Sequence, residues 1–401
     1  MSLCGLGSMR NVASATAPSK NLATTPMKIV LFANTDWYLY NFRRSLALEL
    51  REAGHELLLI SPPGPYGEML RSLGLRWKPL PMDRRSLNPL GEARLLLHLY
   101  QLFRIERPHL VHGFTIKCAV YGSLVARLSG VPARINAIAG LGYVFTSEDR
   151  RARLLRPIVR GLFKLALGGR GARLILQNPD DVTMFEQAGL VDIAQIKLIM
   201  GSGVDCLRFR PAAIRRRGGP QRVLLASRLL WDKGIAEYVD AARQLQRDGR
   251  ALTFLLAGEP DVGNPSAIPE AILDEWVAEG LVKWLGHVDD MQALLATTDI
   301  VVLPSYREGL PRGLIEAAAC GLPLVTTDVP GCREVVTDGV DGLLVPARDA
   351  DALAAAIARL HDDAELAARL GQAARTKALA EFDEKIVIAR TMAVYRELLP
   401  S

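Results

Sequence analysis

The sequence predicts an α/β protein of two doubly wound, Rossmann-like domains facing a central cleft, and three observations carry that prediction. Short apolar runs of strand length alternate with helical stretches along the chain, the pattern of parallel sheets wrapped by crossover helices. The alternation is interrupted at 205–220, where Pro211, the basic run 215–217 and Gly218-Gly219-Pro220 give the composition of a linker. The length of 401 residues suits two or three domains with ample core.

The elements follow in order. Residues 1–26 are rich in Ser, Ala and Thr, contain no acid and lack the apolar core of a secretory signal, so they read as a disordered extension. Met27-Lys28-Ile29-Val30-Leu31-Phe32 reads as the first strand. The first domain, 27–204, then holds strands at 56–61 and 110–112 and helices at 40–53 and 118–128. The second, 221–380, repeats the pattern with strands at 223–226, 252–257, 300–304 and 324–327. A terminal segment, 381–401, carries a helix at 384–398.

The most informative stretch is Ser305-Tyr306-Arg307-Glu308-Gly309-Leu310-Pro311-Arg312-Gly313-Leu314-Ile315-Glu316. Pro311 suits the first position of a helix and Gly321 its stop, which predicts a helix over 311–319. Glu308 then lies in the loop before it and Glu316 further along it. Unpaired N–H groups at the helix start form an anion site between the two acids. Two glutamates at this spacing alone would favour ordinary surface acids beside a capped helix. The preceding run Asp299-Ile300-Val301-Val302-Leu303-Pro304-Ser305 decides against that, because it reads as a buried parallel strand and puts the acids at its carboxyl end, where open α/β sheets bind ligands. A ligand with hydroxyls at both ends and phosphate between them would fit, which describes a nucleotide-sugar.

The segment LPSYREGLPRGLIEAAACGLPLV resembles the E-x7-E signature of retaining glycosyltransferases of the GT-B type, family 4, with Glu308 and Glu316 as its acids. Leu225-Ala226-Ser227-Arg228-Leu229-Leu230-Trp231-Asp232-Lys233-Gly234 is similar to that family's arginine and lysine pair. Residues 330–345 resemble a third block, read as scaffold with Glu334 as a secondary candidate. The resemblance extends from Met27 to the C-terminus. It implies transfer of a sugar from a nucleotide-sugar, with a UDP-sugar expected, to a lipid-linked saccharide in surface polysaccharide or glycan assembly. Arg228 and Lys233 would stabilise the departing diphosphate, with no cofactor and no obligatory metal. Glu308 would orient the donor sugar, the amides of Gly309, Leu310, Gly313 and Leu314 would hold sugar or phosphate, and Glu316 the ribose. The last helix would cross back onto the first domain.

The loop after the first strand has no glycine, and its aromatics and arginines look like those of members that extend sugars on polyprenyl diphosphate. That likeness makes Asp36, Tyr38, Tyr40, Asn41 and Arg43 acceptor-side candidates, joined by Tyr143 of a second loop. Asp36 reads as an acceptor base or as a turn cap. Many relatives place a histidine where this chain has Ala139. His112 reads as a structural or acceptor-side residue. Asp349-Ala350-Asp351 has a D-x-D pattern but sits at a helix start, where capping explains it. Two other readings on the same fold remain open: a nucleotide-sugar 2-epimerase or hydrolase, and a non-catalytic nucleotide-sugar-binding subunit.

The net charge of +6 is unevenly spread, with roughly 24 basic against 15 acidic side chains over 27–205. Arg151, Arg153, Arg156, Arg160 and Lys164 lie in an apolar stretch without acids. That composition suits an anionic membrane surface on the cytoplasmic face, with the leucines and Phe163 on one side, and equally a domain helix with a solvated basic rim. No nucleic-acid module is present. Five scattered cysteines suit a reducing compartment and argue against structural zinc. No run reaches the roughly 18 apolar residues of a membrane span.

Overall fold

The computed structural model describes residues 26–83, 88–138, 150–213 and 218–399, the side chains of 150–156, 158 and 159 excepted. Two parallel sheets carry the fold. The first is built from β1 (Lys28–Phe32), β2 (Glu56–Ser61), β3 (Trp77–Pro79), β4 (Leu110–Phe114), β5 (Ala133–Ala137), β6 (Ala172–Leu176) and β7 (Ile196–Leu198), in the order β3-β2-β1-β4-β5-β6-β7. The second is built from β8 (Gln221–Ala226), β9 (Leu252–Ala257), β10 (Lys283–Trp284), β11 (Ile300–Leu303), β12 (Leu324–Thr327) and β13 (Leu343–Val345), in the order β10-β9-β8-β11-β12-β13. The central strands are near-continuous Val, Ile and Leu runs and are buried along almost their whole length, because helices cover both faces of each sheet.

In each sheet the strand order turns back on itself, between β1 and β4 in the first and between β8 and β11 in the second. At such a point neighbouring crossover helices leave on opposite faces, and a crevice opens beyond the carboxyl ends of the two strands. The loops after β1, β8 and β11 are those that carry the candidate residues.

Three expectations shift. The helix expected over 40–53 is in pieces: a first turn Asp36–Tyr38, a π-helical turn Leu39–Arg43, and an α-helix Arg44–Glu52. Thr35 caps the first piece, its Oγ1 accepting from Tyr38 N at 3.0 Å, and the wide turn rotates Arg43 inward. The helix expected over 311–319 begins at Arg312, with Pro311 as its cap in extended conformation. The segment read as linker is part of the core at its start. Cys206 and Phe209 pack with Leu314 and Phe382, because Val204 bridges to Asp383.

The terminal helix Glu384–Leu398 lies on the first sheet. Val387, Val394 and Tyr395 join the cluster of Leu31 and Phe114, and Glu384 accepts from Ser45 Oγ at 2.7 Å. Among the described residues no helix is long and apolar enough to cross a membrane.

Candidate active site

The switch between β8 and β11 places the loops 227–234 and 304–311 side by side. Gly234 makes the approach possible: its φ of +70° is left-handed, and a Cβ there would run into the Pro304 carbonyl oxygen. The Asp232 carbonyl accepts from Tyr306 N at 2.9 Å and from Ser305 Oγ at 3.2 Å. Tyr306 Oη donates to Glu237 at 2.6 Å while its ring lies 4.2 Å from the Arg348 guanidinium. Burial, reinforced by the Glu237 carboxylate, pushes the Tyr306 phenol up to about 12, so it remains a donor at neutral pH. Held between these two loops, Lys233 Nζ forms an ion pair with Glu308.

The Glu308 loop has a second support. Its N–H donates to the Pro330 carbonyl at 3.3 Å, and a Cβ on Gly331, at φ +81°, would stand 2.6 Å from the Glu308 carbonyl oxygen. Burial and then the Glu308 charge push the nearby Cys332 thiol up to about 12, which keeps it neutral. Glu334, in the same block, is held above the usual carboxylate range by burial first and the Asp180 charge second. Arg228 is 62% exposed and reaches Asp261 at 2.9 Å, so its guanidinium stands open to a ligand entering from solvent.

On the helix Arg312–Ala319, Glu316 is 9% exposed and pairs with Arg312 at 2.7 Å. Arg312 and Glu316 are four residues apart, which puts both side chains on one face. Leu314 departs from its expected part: its N–H is already bonded to the Pro311 carbonyl at 3.1 Å, within the first helical turn. Asp349 accepts from Ala352 N at 2.8 Å and caps its helix. Among the described residues no group of three or more His, Cys, Asp or Glu side chains is arranged to hold a metal ion.

In the first domain the candidates divide. Asp36 is 5% exposed and accepts from Trp37 N at 2.8 Å, Tyr66 N at 2.7 Å and Gly67 N at 3.0 Å. It ties the loop after β1 to the start of the helix Tyr66–Ser72. That is a capping role, and the reading of Asp36 as a base is set aside. Tyr40 stacks with Tyr66 at 5.5 Å beneath the Arg44 guanidinium, and Asn41 Nδ2 donates to the Trp37 carbonyl at 3.1 Å. Arg43 is 4% exposed, and among the described residues no acid forms an ion pair with it. Its guanidinium lies 4.4 Å from the Phe114 ring centre and donates to Tyr38 Oη at 3.0 Å. Beside it the buried His112 shares a 2.6 Å hydrogen bond with Tyr395 Oη. Burial, and next the Arg43 charge, hold His112 well below its ordinary range.

Ala139 and Tyr143 lie outside the described residues, as do the side chains of Arg151, Arg153 and Arg156. On the helix Arg150–Leu167, Arg160 and Lys164 are exposed. Phe163 is not on a free apolar face: it is 3% exposed and packs against Phe185 with centroids 6.4 Å apart, so it belongs to the domain core.

Several site residues escape a reading of the sequence. Arg307 reaches the buried Asp181 of the first domain at 2.9 Å, and Asn178 Nδ2 donates to the Gly309 carbonyl at 2.7 Å, clamping the Glu308 loop to the other domain. Thr115, directly after β4, has φ +70°, a strained value for a β-branched residue at a switch point. Of these, only the helix start at Asn178-Pro179 leaves a signal in the sequence.

Comparison with known proteins adds to this geometry. Residues 220–363 match the family model described as glycosyl transferases group 1, and residues 28–178 match glycosyl transferase 4-like. The chain is 29% identical over 384 residues to the N,N'-diacetylbacillosaminyl-diphospho-undecaprenol alpha-1,3-N-acetylgalactosaminyltransferase of Campylobacter jejuni, covering 93% of this chain and 99% of that relative. It is 25% identical to the UDP-Gal:alpha-D-GlcNAc-diphosphoundecaprenol alpha-1,3-galactosyltransferase of Escherichia coli, over 70% of this chain and 73% of that one. The solved structure of Anabaena HepE in complex with UDP and glucose superposes with a TM-score of 0.76 at 21% identity, over 92% of this chain and 99% of that one, which shows a shared fold.

Proposed function

The chain belongs to the group 1 and 4-like glycosyltransferases of GT-B fold, and from that premise we propose that it is a retaining enzyme that moves a sugar from a UDP-sugar to a saccharide carried on a polyprenyl diphosphate. The observation that carries the reading is the Lys233–Glu308 ion pair between the loops that leave β8 and β11, with Arg228 on the first of those loops and Glu316 on the helix that follows the second. The two curated relatives reported above are named as transferases acting on diphospho-undecaprenol saccharides, and one is named for UDP-galactose. Those names support the acceptor class and the donor nucleotide.

In this reading the bond between the anomeric carbon and the diphosphate oxygen breaks, and the acceptor hydroxyl attacks from the same face, passing its proton to the departing diphosphate. Negative charge then builds on the leaving group. Lys233 and Arg228 meet it, and each such preorganised donor is worth about 2.7–4 kcal/mol in the transition state. Glu308 orients the sugar hydroxyls and Glu316 the ribose hydroxyls, with the amides of Gly309, Leu310 and Gly313 between them. The charges are supplied by side chains, so the proposed route requires no metal. Tyr38, Tyr40 and Asn41, on the helical turns after β1, border the acceptor side. Arg160 and Lys164 would bring this basic domain to the anionic surface in which the acceptor lipid sits.

The test is a screen of UDP-, GDP- and ADP-sugars for nucleoside diphosphate release, with and without an extract of polyprenyl-diphosphate saccharides. Release that requires the extract supports the transfer and identifies the donor. Release without it points to a hydrolase or epimerase, and no release with any pairing counts against the reading.

A further inference from the structure

Arg312 stands where three parts of the molecule meet. Its Nε pairs with Glu316 at 2.7 Å, its Nη1 donates to Ser202 Oγ at 3.2 Å, and its guanidinium lies 4.8 Å from the centre of the Phe42 ring. Glu316 belongs to the donor half-site. Ser202 sits on the passage out of the first domain, between Gly201 at φ +68° and Gly203 at φ +72°, where a Cβ on Gly201 would come within 2.9 Å of Leu310. Phe42 belongs to the π-helical turn Leu39–Arg43 that follows β1, and its ring meets Trp37 edge-on at 5.0 Å and Tyr38 at 5.0 Å. A guanidinium is planar with donors in fixed directions, so a single orientation serves carboxylate, hydroxyl and ring together. An ammonium in its place could serve only one or two of them.

Resting on the donor-site reading above, we propose that Arg312 is a positioning residue that couples the two half-sites. A nucleotide whose ribose engages Glu316 fixes that carboxylate. The carboxylate fixes Arg312, and Arg312 fixes Phe42 and the helical turns Asp36–Tyr38 and Leu39–Arg43 against which an acceptor must lie. Coupling between sites is reciprocal, so an acceptor that orders the loop tightens the nucleotide by the same factor.

Trp37 supplies a readout that needs no acceptor. It is one of five tryptophans, and its share of the emission is the difference between the wild type and Trp37→Phe. UDP, GDP and ADP are titrated with calorimetry alongside to establish which one binds and when it saturates. The expected result is a change in the Trp37 share on saturation of the wild type. Arg312→Lys should bind the nucleotide within about threefold of the wild type, because the charge beside Glu316 remains, yet lose that change. Phe42→Leu, which leaves Arg312 intact, should also lose the change while binding nucleotide. A Trp37 response that survives in Arg312→Lys, or a wild type that binds nucleotide without one, overturns the coupling. Absence of binding by all three nucleotides overturns the donor-site reading itself, and the coupling with it.

Discussion

Lys233 Nζ and Glu308 are ion-paired between the two loops that leave β8 and β11, with both side chains largely buried at 16% and 14% exposure. The cation proposed to meet the donor's diphosphate and the acid proposed to meet its sugar thus neutralise one another while the site waits. The pair holds each side chain in place, and removing either leaves the other as an uncompensated charge. Lys233→Ala should lower kcat by about 100- to 1,000-fold. Glu308→Gln should fall in the same range, and the double variant should lose far less than the product of the two, since the residues act as a unit. Nucleoside diphosphate release under saturating donor measures all three.

Arg228 presents the contrasting case. Its contact with Asp261 is made by a guanidinium 62% exposed, so the pair contributes little to folding. Arg228→Ala should leave the melting temperature within about 2 °C of the wild type, while weakening nucleotide binding by about tenfold. Calorimetric titration with UDP beside a melting curve separates the two effects. A large loss of stability without loss of binding would make Arg228 a structural residue.

The alternation of apolar runs was enough to read two parallel sheets, because strands buried on both faces leave no other pattern. The carboxyl-end position of Glu308 was legible for the same reason. Contacts between the domains were not. Asp181 and Arg307 are 126 positions apart, and nothing local marks Asp181 as a partner rather than a first-turn acid of its helix. The π-helical turn at Leu39–Arg43 leaves no mark in the sequence, because its residues have ordinary helical propensity and only tertiary packing widens it. Phe163 illustrates the ambiguity of an amphipathic stretch, since the face that suits a membrane is also the face that suits a core.

Asp36 separates capping from catalysis. Its carboxylate accepts from three backbone N–H groups, so Asp36→Ala should cost about 1–2 kcal/mol of stability. Asp36→Asn keeps an acceptor oxygen but cannot take a proton as a base. It should therefore retain turnover within a few-fold, roughly the effect of a weakened cap. Abolished turnover in a well-folded Asp36→Asn protein would restore the base reading.

His112 makes the fold sensitive to acid. Burial and the adjacent Arg43 charge lower its affinity for a proton well below that of a free histidine, and Tyr395 Oη is the hydrogen-bond partner of its Nδ1. Above about pH 6.5 neither the folded nor the unfolded chain protonates this ring, and its contribution to stability does not depend on pH. Below that value the unfolded chain takes up a proton that the folded chain refuses. Stability then falls by as much as about 1.4 kcal/mol per pH unit until the lowered folded value is reached. His55, lowered by burial, acts in the same direction. Glu334 and Glu384, raised by burial, act in the opposite one, because the fold takes up their protons first. The useful measurement is therefore a difference, the pH dependence of the wild type minus that of His112→Gln, between pH 7 and pH 5. The variant is expected to be less stable at pH 7 and to lose less on acidification. Parallel curves would mean that His112 protonates within the fold, and the Arg43 charge beside it would then need a counter-ion in the cleft.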